Sequence, residues 1–166
     1  MIRPYRDPDL EPLMQLWLKS TTLAHPFIRE GYWRESASAV REIYIPQSQT
    51  WVYEEQGSLI GFISVLKARF IGALFVEHAY YGKQIGTALI QHVQAQYPLL
   101  SLEVYQQNTR ACRFYHKQGF VIVEENVNQD TQATALIMQW AQKHPVCLRG
   151  GDRSSSQSCK SPINHG

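Results

Sequence analysis

A glycine-containing segment at residues 75–87 combines features that bind anions. Its sequence, FVEHAYYGKQIGT, passes from an apolar run through Gly82 and Gly86 into a helical pattern. The N–H groups at a helix start can bind phosphate, and glycine lets the backbone approach a diphosphate closely. The same sequence also fits an ordinary strand–turn–helix connection, so by itself it indicates phosphate binding only weakly.

A second segment, residues 108–120, carries a group that could donate a proton. Its sequence, NTRACRFYHKQGF, places Tyr115 one helical turn beyond Ala111, on the same face of a short helix. Asn108 stands where it could cap that helix, and Gly119 stands where the helix would end. A phenol has an ordinary pKa of about 10, so it is protonated at neutral pH and can donate to a leaving group. The alternative for Tyr115 is a half-buried structural tyrosine.

The elements that hold these segments form a mixed order of helices and strands. Apolar residues at helical spacing, ended by proline or glycine, predict helices, and short apolar or alternating runs predict strands. Because strands and helices do not alternate strictly, the order predicts an α/β fold with a mixed sheet and not a repeating βαβ array. The predicted helices cover residues 8–22, 29–45 (with Pro46 as the stop), 86–97 and 108–118; the predicted strands cover residues 50–55, 58–65, 70–76, 99–105, 120–123 and 135–140.

The composition fits one folded domain followed by a tail. The chain has 166 residues, of which 44% are hydrophobic and 18% charged, so residues 1–140 are expected to fold as one domain. Residues 141–166 include the run RGGDRSSSQS, which has few apolar groups, and are predicted to be disordered. The net charge of +2 argues against a nucleic-acid-binding chain, and no apolar run is long enough to cross a membrane.

The three cysteines, Cys112, Cys147 and Cys159, favour neither a disulfide framework nor a metal site. Their number is odd and their spacing wide, unlike disulfide-rich domains or the paired ligands of zinc. We therefore expect no metal and a reducing, cytoplasmic setting, since the first residues, MIRPYRD, contain no apolar signal stretch. Cys112 lies near a helix start but has no evident base partner, which favours inert packing over covalent catalysis.

Together, the two segments resemble the GNAT superfamily of acetyl-CoA-dependent N-acetyltransferases, and the resemblance covers residues 1–140. The pattern Asn-x-x-Ala-x-x-Phe-Tyr-x-x-x-Gly-Phe at residues 108–120 is the more specific match. Within the superfamily the chain looks most like small bacterial protein acetyltransferases. The residues that carry this likeness are HPFI at 25–28, YWR at 32–34 and LEVY at 102–105.

The loop at residues 81–86, YGKQIG, is similar to the family's diphosphate loop but departs from it at two positions. That loop usually reads Gln/Arg-x-x-Gly-x-Gly/Ala. Tyr81 stands where Gln or Arg is usual and Gln84 where the middle Gly is usual, whereas Gly86 fits. If the backbone at Gln84 requires a positive φ, its side chain would crowd the phosphates. We expect weakened rather than lost cofactor affinity.

The resemblance implies both a fold and a cofactor site. The fold would be an α/β (α+β) mixed, mostly antiparallel sheet flanked by about four helices. Its parallel strands 4 and 5, here residues 70–76 and 99–105, would splay apart. The pantetheine arm of acetyl-CoA would lie between them, with the hydroxyl of Tyr115 directed at the sulfur. The implied cofactor-binding residues are Leu74, Phe75, Val76, Tyr81, Gly82, Lys83, Gln84, Ile85, Gly86, Thr87, Asn108 and Ala111.

The base that deprotonates the acceptor amine is left open between two residues. A lysine amine has a pKa of about 10.4 and arrives protonated. Glu103 is the first candidate because it shares a strand face with Tyr105 near the place where the strands would separate, although a surface salt bridge explains it equally well. His25 is the second, on a loop that borders the acceptor site by family analogy. His25, Phe27, Phe70 and Tyr105 are predicted to line the acceptor site, where aromatic rings can grip a lysine stem.

The leading function is an acetyl-CoA-dependent N-acetyltransferase that acts by direct attack in a ternary complex. The acceptor would be a primary amine, either a protein lysine or an N-terminal amine. Small amines and aminoacyl-tRNA are alternative acceptors, and a non-catalytic acyl-CoA-binding module is the alternative class. Arg29, Arg34 and Arg41 form no clean basic stripe, so nucleic acid ranks low as a partner. We expect no membrane partner and a monomer or homodimer.

Overall fold

A single sheet with helices on both faces forms the centre of the molecule. The structure is a computed structural model and describes residues 1–142. The strands are β1 (Ile2–Pro4), β2 (Ser48–Glu55), β3 (Ser58–Leu66), β4 (Phe70–Val76), β5 (Leu99–Tyr105), β6 (Val121–Val127) and β7 (Thr134–Ala141). The helices are α1 (Leu10–Ala24), α2 (Glu30–Ala39), the single turn α3 (Ile45–Gln47), α4 (Ile85–Gln94) and α5 (Thr109–Lys117).

The sheet has seven strands in the order β1-β2-β3-β4-β5-β7-β6. Every neighbouring pair is antiparallel except β4 and β5, which are parallel. This confirms the predicted fold class, a mixed and mostly antiparallel sheet with one parallel pair. No helix within residues 1–142 is both long and apolar enough to cross a bilayer.

The two faces of the sheet carry separate hydrophobic cores. On one face α4 and α5 pack around Leu89 and Phe120, and we call this the α4–α5 core. On the other face α1 and α2 pack around Trp17 and Trp33, and we call this the α1–α2 core. All four side chains have no exposed surface. Deleting one such side chain to alanine costs about 2–5 kcal/mol, so each core fixes its helices firmly against the sheet.

The parallel strands β4 and β5 pair only over their first residues. Phe70 lies opposite Ser101 and Ile71 opposite Leu102, and the pairing ends there. Beyond this point β4 stays paired with β3, and β5 stays paired with β7 as far as Tyr105. The two strands therefore separate toward their carboxyl ends, as the resemblance implied, which leaves a gap in the strand pairing between them.

The second helical stretch, predicted over residues 29–45, is present over residues 30–47 as three consecutive helical segments. In the structure α2 ends at Ala39, a wide π-type turn covers Val40–Tyr44, and α3 contains Pro46 instead of ending before it. The three segments are continuous, since the N–H of Ile45 donates to the carbonyl of Val40, and Pro46 therefore lies in the last turn of the stretch and does not stop it.

The sheet is also longer than predicted at both ends of the domain. The three-residue strand β1 was not predicted; Ile2 lies opposite Tyr53 of β2. Strand β7 runs to Ala141, and the N–H of Gln142 donates to the carbonyl of Pro98 at 2.8 Å. Residue 141 of the predicted tail thus belongs to the sheet, and residue 142 is hydrogen-bonded to the residue before β5. The rest of the predicted tail, residues 143–166, lies outside the described residues.

Candidate active site

The loop between β4 and α4 ends in a helix start with unpaired donors. Gly82 has a φ of +81° and Gln84 a φ of +66°, both in the left-handed region. Gln84 is the N-cap residue of α4, and its side chain makes no capping hydrogen bond. The N–H groups of the first turn of α4 have no acceptor within the helix, and they point toward the helix start together with the positive end of its dipole. This geometry suits a phosphate.

A groove of about 830 Å³ runs from this helix start to α5. Among residues 1–142, its walls include three cations, Arg110, Arg113 and Lys117, and no carboxylate. Because these positions are three and four residues apart, they share one face of α5. Sequence reasoning missed all three, although that spacing is a signal that could have found them. The whole chain carries a net charge of only +2, so the groove concentrates positive charge.

Most of the predicted cofactor residues line this groove. They are Leu74, Val76, Tyr81, Gly82, Gln84, Ile85, Gly86 and Thr87. Phe75 is instead fully buried in the α1–α2 core, because successive residues of β4 face opposite sides of the sheet. The ammonium of Lys83 lies outside the groove wall, 5.4 Å from the ring centroid of Tyr80.

Asn108 and Ala111 shape the start of α5 and do not form the groove wall. Both are buried, and the side-chain oxygen of Asn108 accepts a hydrogen bond from the N–H of Ala111 at 3.3 Å. This is an N-cap, which stabilises a helix by about 1 kcal/mol. Their contribution to a cofactor site is therefore to fix the helix that carries Arg110 and Phe114.

Gly86 lies where α4 passes close to the Phe114 ring of α5. A Cβ atom at this position would lie 3.5 Å from Cζ of Phe114 and 3.8 Å from Cγ2 of Val76. These are ordinary van der Waals distances, so alanine fits here, whereas a larger side chain would meet the Phe114 ring or project into the groove.

Arg110 stacks on the ring of Tyr81 and links α5 to the loop. Its guanidinium carbon lies 3.7 Å from the ring centroid. Burial raises the pKa of the Tyr81 hydroxyl, and the positive charge of Arg110 partly opposes that rise. The phenol is therefore neutral near pH 7 and presents an intact ring face to the guanidinium.

Tyr115 lies inside the α4–α5 core. It is 1% exposed and packs edge-on against Phe114 and Phe120, at centroid distances of 5.2 and 5.6 Å. Burial, with a smaller effect of Cys112, raises the pKa of its hydroxyl well above the ordinary value, so it keeps its proton near neutral pH. Phe114 forms part of the groove wall and Tyr115 does not. A contact between Tyr115 and the cofactor sulfur stays a prediction.

Glu103 is the first residue of β5 beyond its pairing with β4. The last paired residues are Ile71 and Leu102, so Glu103 stands beside the gap between the strands. It is half-buried, and the alternation of β5 puts it on the same side as Tyr105, which belongs to the α1–α2 core. The placement is the one expected from the sequence; the role of Glu103 as a base stays a prediction.

Aromatic rings surround Tyr105 on the α1–α2 side of the gap. The ring centroids of His25 and Phe27 lie 5.3 and 5.7 Å from that of Tyr105. Phe27 is half-buried, so this part of the cluster reaches the surface. The hydroxyl of Thr131 donates to that of Tyr105 at 3.3 Å, which brings the loop between β6 and β7 to the same place.

Two predicted acceptor residues require correction. His25 has no exposed surface, its Nδ1 donates to the carbonyl of Thr21 at 2.7 Å, and burial lowers its pKa to about 4. It is therefore a neutral, enclosed part of the aromatic cluster and does not face an acceptor. Phe70 lies opposite Ser101 at the amino end of β4, where the strands are still paired, so it is remote from the gap.

The comparisons with known proteins agree with this architecture. Residues 24–141 match a family described as the acetyltransferase (GNAT) domain. The chain belongs to the GNAT family of N-acetyltransferases. It is 45% identical over 140 residues to the peptidyl-lysine N-acetyltransferase YiaC of Escherichia coli (strain K12), covering 84% of this chain and 96% of that relative.

Solved GNAT structures share the fold. The apo-form solution structure of YjaB from Escherichia coli matches with a TM-score of 0.74 and 27% identity, covering 86% of this chain and 98% of that one. The PaiA N-acetyltransferase from Thermoplasma acidophilum, solved in complex with coenzyme A, matches with a TM-score of 0.65 and 22% identity, covering 87% of this chain and 98% of that one.

Gln84 is an unusual residue for the backbone of this GNAT loop. Its φ of +66° is the conformation in which the sequence analysis expected a side chain to crowd the phosphates. For a residue other than glycine this conformation costs about 1–2 kcal/mol. The side chain of Gln84 is exposed and stands at the groove wall, and its effect on cofactor affinity stays a prediction.

Proposed function

We propose that this GNAT chain transfers the acetyl group of acetyl-CoA to the side-chain amine of lysine residues in proteins. The observation that carries the proposal is the separation of β4 and β5 beyond Ile71 and Leu102, with a groove that carries three cations on the α4–α5 side and an aromatic cluster on the α1–α2 side. Two substrates of different chemistry can meet there without either leaving its own face. The name of the relative YiaC, a peptidyl-lysine N-acetyltransferase, supports the choice of acceptor.

The groove supports acetyl-CoA as the acetyl donor. Its three cations and the start of α4 offer charge and N–H donors to the phosphates of CoA. Beyond Ile71 the edge of β4 that faces β5 is not paired with that strand. Backbone N–H groups on this edge can polarise a thioester carbonyl, where negative charge develops during the reaction.

Tyr115 is the proposed donor to the departing sulfur. Its buried hydroxyl has a raised pKa and so remains protonated at the pH of the reaction. A thiol has a pKa of about 8–9, so a thiolate is a weaker base than the phenolate of Tyr115. The hydroxyl therefore contributes mainly by donating a hydrogen bond to the sulfur, and the final proton comes from the acceptor amine or water.

Glu103 is the proposed base. A lysine ammonium must lose a proton before it can attack, and Glu103 stands beside the gap on the acceptor side. Its carboxylate can accept that proton directly or through water. His25 does not compete for this role, because it is enclosed and makes its Nδ1 hydrogen bond to Thr21.

The acceptor side suits the long apolar stem and charged end of lysine. Phe27 and Tyr32 are half-buried rings at the edge of the cluster. Burial raises the pKa of Tyr32 to about 12, with smaller effects of Tyr105 and Asp130, so its ring stays neutral. Neutral aromatic rings attract an ammonium and pack against methylene groups, and the exposed carboxylate of Asp130 adds attraction for a cation.

We also propose that the reaction takes place in the cytoplasm. The thiol of Cys112 is free in the structure, and burial raises its pKa, which suits a reducing compartment and a structural role.

The direct test is acetyl transfer to a lysine peptide. The purified chain is incubated with acetyl-CoA and two peptides with blocked N-termini, which are identical except that one has arginine in place of its lysine. We expect one acetyl group on the lysine peptide, CoA release in equal amount, and neither product from the arginine peptide. Release of CoA without peptide acetylation, or equal acetylation of both peptides, would contradict lysine as the acceptor.

A further inference from the structure

The contact between Arg110 and Tyr81 joins α5 to the loop before α4 across the groove. Arg110 lies in the first turn of α5, and its guanidinium carbon is 3.7 Å from the ring centroid of Tyr81 in the loop before α4. Both residues line the groove. A guanidinium that stacks on a ring keeps the N–H groups at its own edge available, and that edge matches the oxygens of a phosphate.

The charge of Arg110 is not neutralised by a neighbouring carboxylate. Within residues 1–142, Arg110 takes part in none of the ion pairs, and the groove wall contains no acidic side chain. Arg41, by contrast, is paired with Glu11. Arg110 is held in place by an uncharged ring, so its full charge is available to an anion in the groove.

We propose that Arg110, held face-on against Tyr81, binds the diphosphate of CoA, and that Tyr81 is a positioning residue that acts through Arg110. The proposal rests on the proposed acetyl-CoA site. It explains why the loop has tyrosine where the family pattern has Gln or Arg: the donor comes from the facing helix, and the ring orients it. The diphosphate is favoured over the 3′-phosphate because Tyr81 adjoins Gly82 and the start of α4, where the backbone donors lie.

Binding measurements with three probes test the contact. CoA and 3′-dephospho-CoA are titrated by calorimetry, and pantetheine, which has no phosphate, by NMR. Arg110→Gln is expected to weaken the binding of CoA and of 3′-dephospho-CoA by the same factor, about 10-fold for a lost charge-assisted hydrogen bond. The binding of pantetheine should be unaffected. Arg34→Gln removes an exposed cation of α2 outside the groove and serves as the matched control, with no change for any probe.

Two outcomes of these titrations would overturn the assignment. Unchanged CoA affinity in Arg110→Gln would show that the guanidinium does not bind the ligand. If Arg110→Gln weakens the binding of CoA but not of 3′-dephospho-CoA, the guanidinium contacts the 3′-phosphate instead of the diphosphate.

A double-mutant cycle tests whether Tyr81 acts through Arg110. Tyr81→Leu removes the ring and is expected to weaken CoA about 3-fold, and Tyr81→Phe, which keeps the ring, should restore most of that loss. In the Arg110→Gln background Tyr81→Leu should cost nothing further, because the residue it positions is gone. Independent, additive losses would overturn the positioning role, and thermal melts of each variant separate it from a loss of folding.

These outcomes are distinguishable from failure of the proposed function. A chain that binds CoA through Arg110 but acetylates no amine contradicts the function and supports the contact. A chain that acetylates lysine with the same CoA affinity in Arg110→Gln supports the function and overturns the contact.

Discussion

The two faces of the sheet meet at the gap between β4 and β5 with opposite chemistry. The face of α4 and α5 presents cations and a helix start, and its groove wall has no carboxylate. The face of α1 and α2 presents aromatic rings around an enclosed, neutral His25, with Glu103 beside the gap. The difference indicates that the anionic acetyl donor binds on the α4–α5 side of the sheet and the cationic amine acceptor on the α1–α2 side before they react. Each face can therefore be perturbed separately.

The largest effect is expected from Tyr115, which belongs to the α4–α5 side. Tyr115→Phe removes the hydroxyl and keeps the ring, so the loss should fall on turnover and not on binding. We expect kcat to decrease by up to about 10²-fold, the effect of losing one hydrogen bond to the negative charge that develops on the sulfur. The KM for acetyl-CoA should stay close to its original value in steady-state kinetics.

A thermal melt of the same preparation is the control for Tyr115→Phe. Reduced stability with full kcat in the folded fraction would make Tyr115 a structural residue whose hydroxyl gives the departing sulfur no hydrogen bond.

The next effect concerns the α1–α2 side and is a dependence of stability on pH. Burial lowers the pKa of His25 to about 4, below the unfolded value of about 6.5, so the unfolded chain binds more protons between these pH values. Stability is therefore complete above pH 6.5 and falls as the pH decreases toward 4. From pH 7.5 to pH 5 this group should lower the free energy of unfolding by about 2 kcal/mol.

Denaturant titrations of the original chain and of His25→Gln at both pH values check this prediction. The glutamine variant lacks the titrating group and should lose about 2 kcal/mol less over the same interval. Equal losses in both chains would show that His25 is accessible to protons in the folded state, against its enclosed position.

On the α4–α5 side, which would bind the acetyl donor and is called the donor side below, the size of the residue at position 86 should control cofactor affinity. Gly86→Leu would meet the Phe114 ring or project into the groove, and we expect the KM for acetyl-CoA to rise about 10-fold. Gly86→Ala is the matched control, because its Cβ has ordinary contacts and its KM should change little. An unchanged KM in Gly86→Leu would place the cofactor elsewhere.

The smallest effect is expected at Gln84, in the same loop. Gln84→Gly removes the left-handed strain of a residue with a side chain and should stabilise the chain by about 1 kcal/mol. It should also lower the KM for acetyl-CoA about 2-fold, because nothing then crowds the phosphates.

Gln56→Gly is the comparison for Gln84→Gly. Gln56 is also left-handed, with a φ of 50°, but lies in the turn between β2 and β3. The Gln56→Gly variant should be more stable than the original chain, with an unchanged KM for acetyl-CoA. A decrease in the KM for acetyl-CoA in both variants would contradict the proposal that the side chain of Gln84 crowds the phosphates.

The donor side was easier to predict from the sequence because its signals are local. The cap at Asn108 and the helix end at Gly119, with its φ of +97°, follow from residue types at fixed spacing and are confirmed. The strand, loop and helix around Gly82 were predicted from local signals in the same way. The contact of Arg110 with Tyr81 was missed because it joins residues that are distant in the sequence and meet only after folding.

The acceptor side was harder to predict because burial there depends on several elements at once. His25 was predicted to border the acceptor site by family analogy for its loop, yet rings from α2 and β5 enclose it. Phe70 was placed at the wrong end of its strand, since an apolar run does not show where the neighbouring strand departs. Glu103 could be placed because the alternation of β5 fixes its face.

The most direct test of the account is a crystal structure with a conjugate in which the sulfur of CoA is linked to the lysine amine of a peptide. The account predicts that the CoA part lies in the groove between the start of α4 and α5, that the linkage passes between β4 and β5 beside Glu103, and that the peptide leaves past Phe27 and Tyr32. A conjugate with both parts on the same face of the sheet would contradict the account.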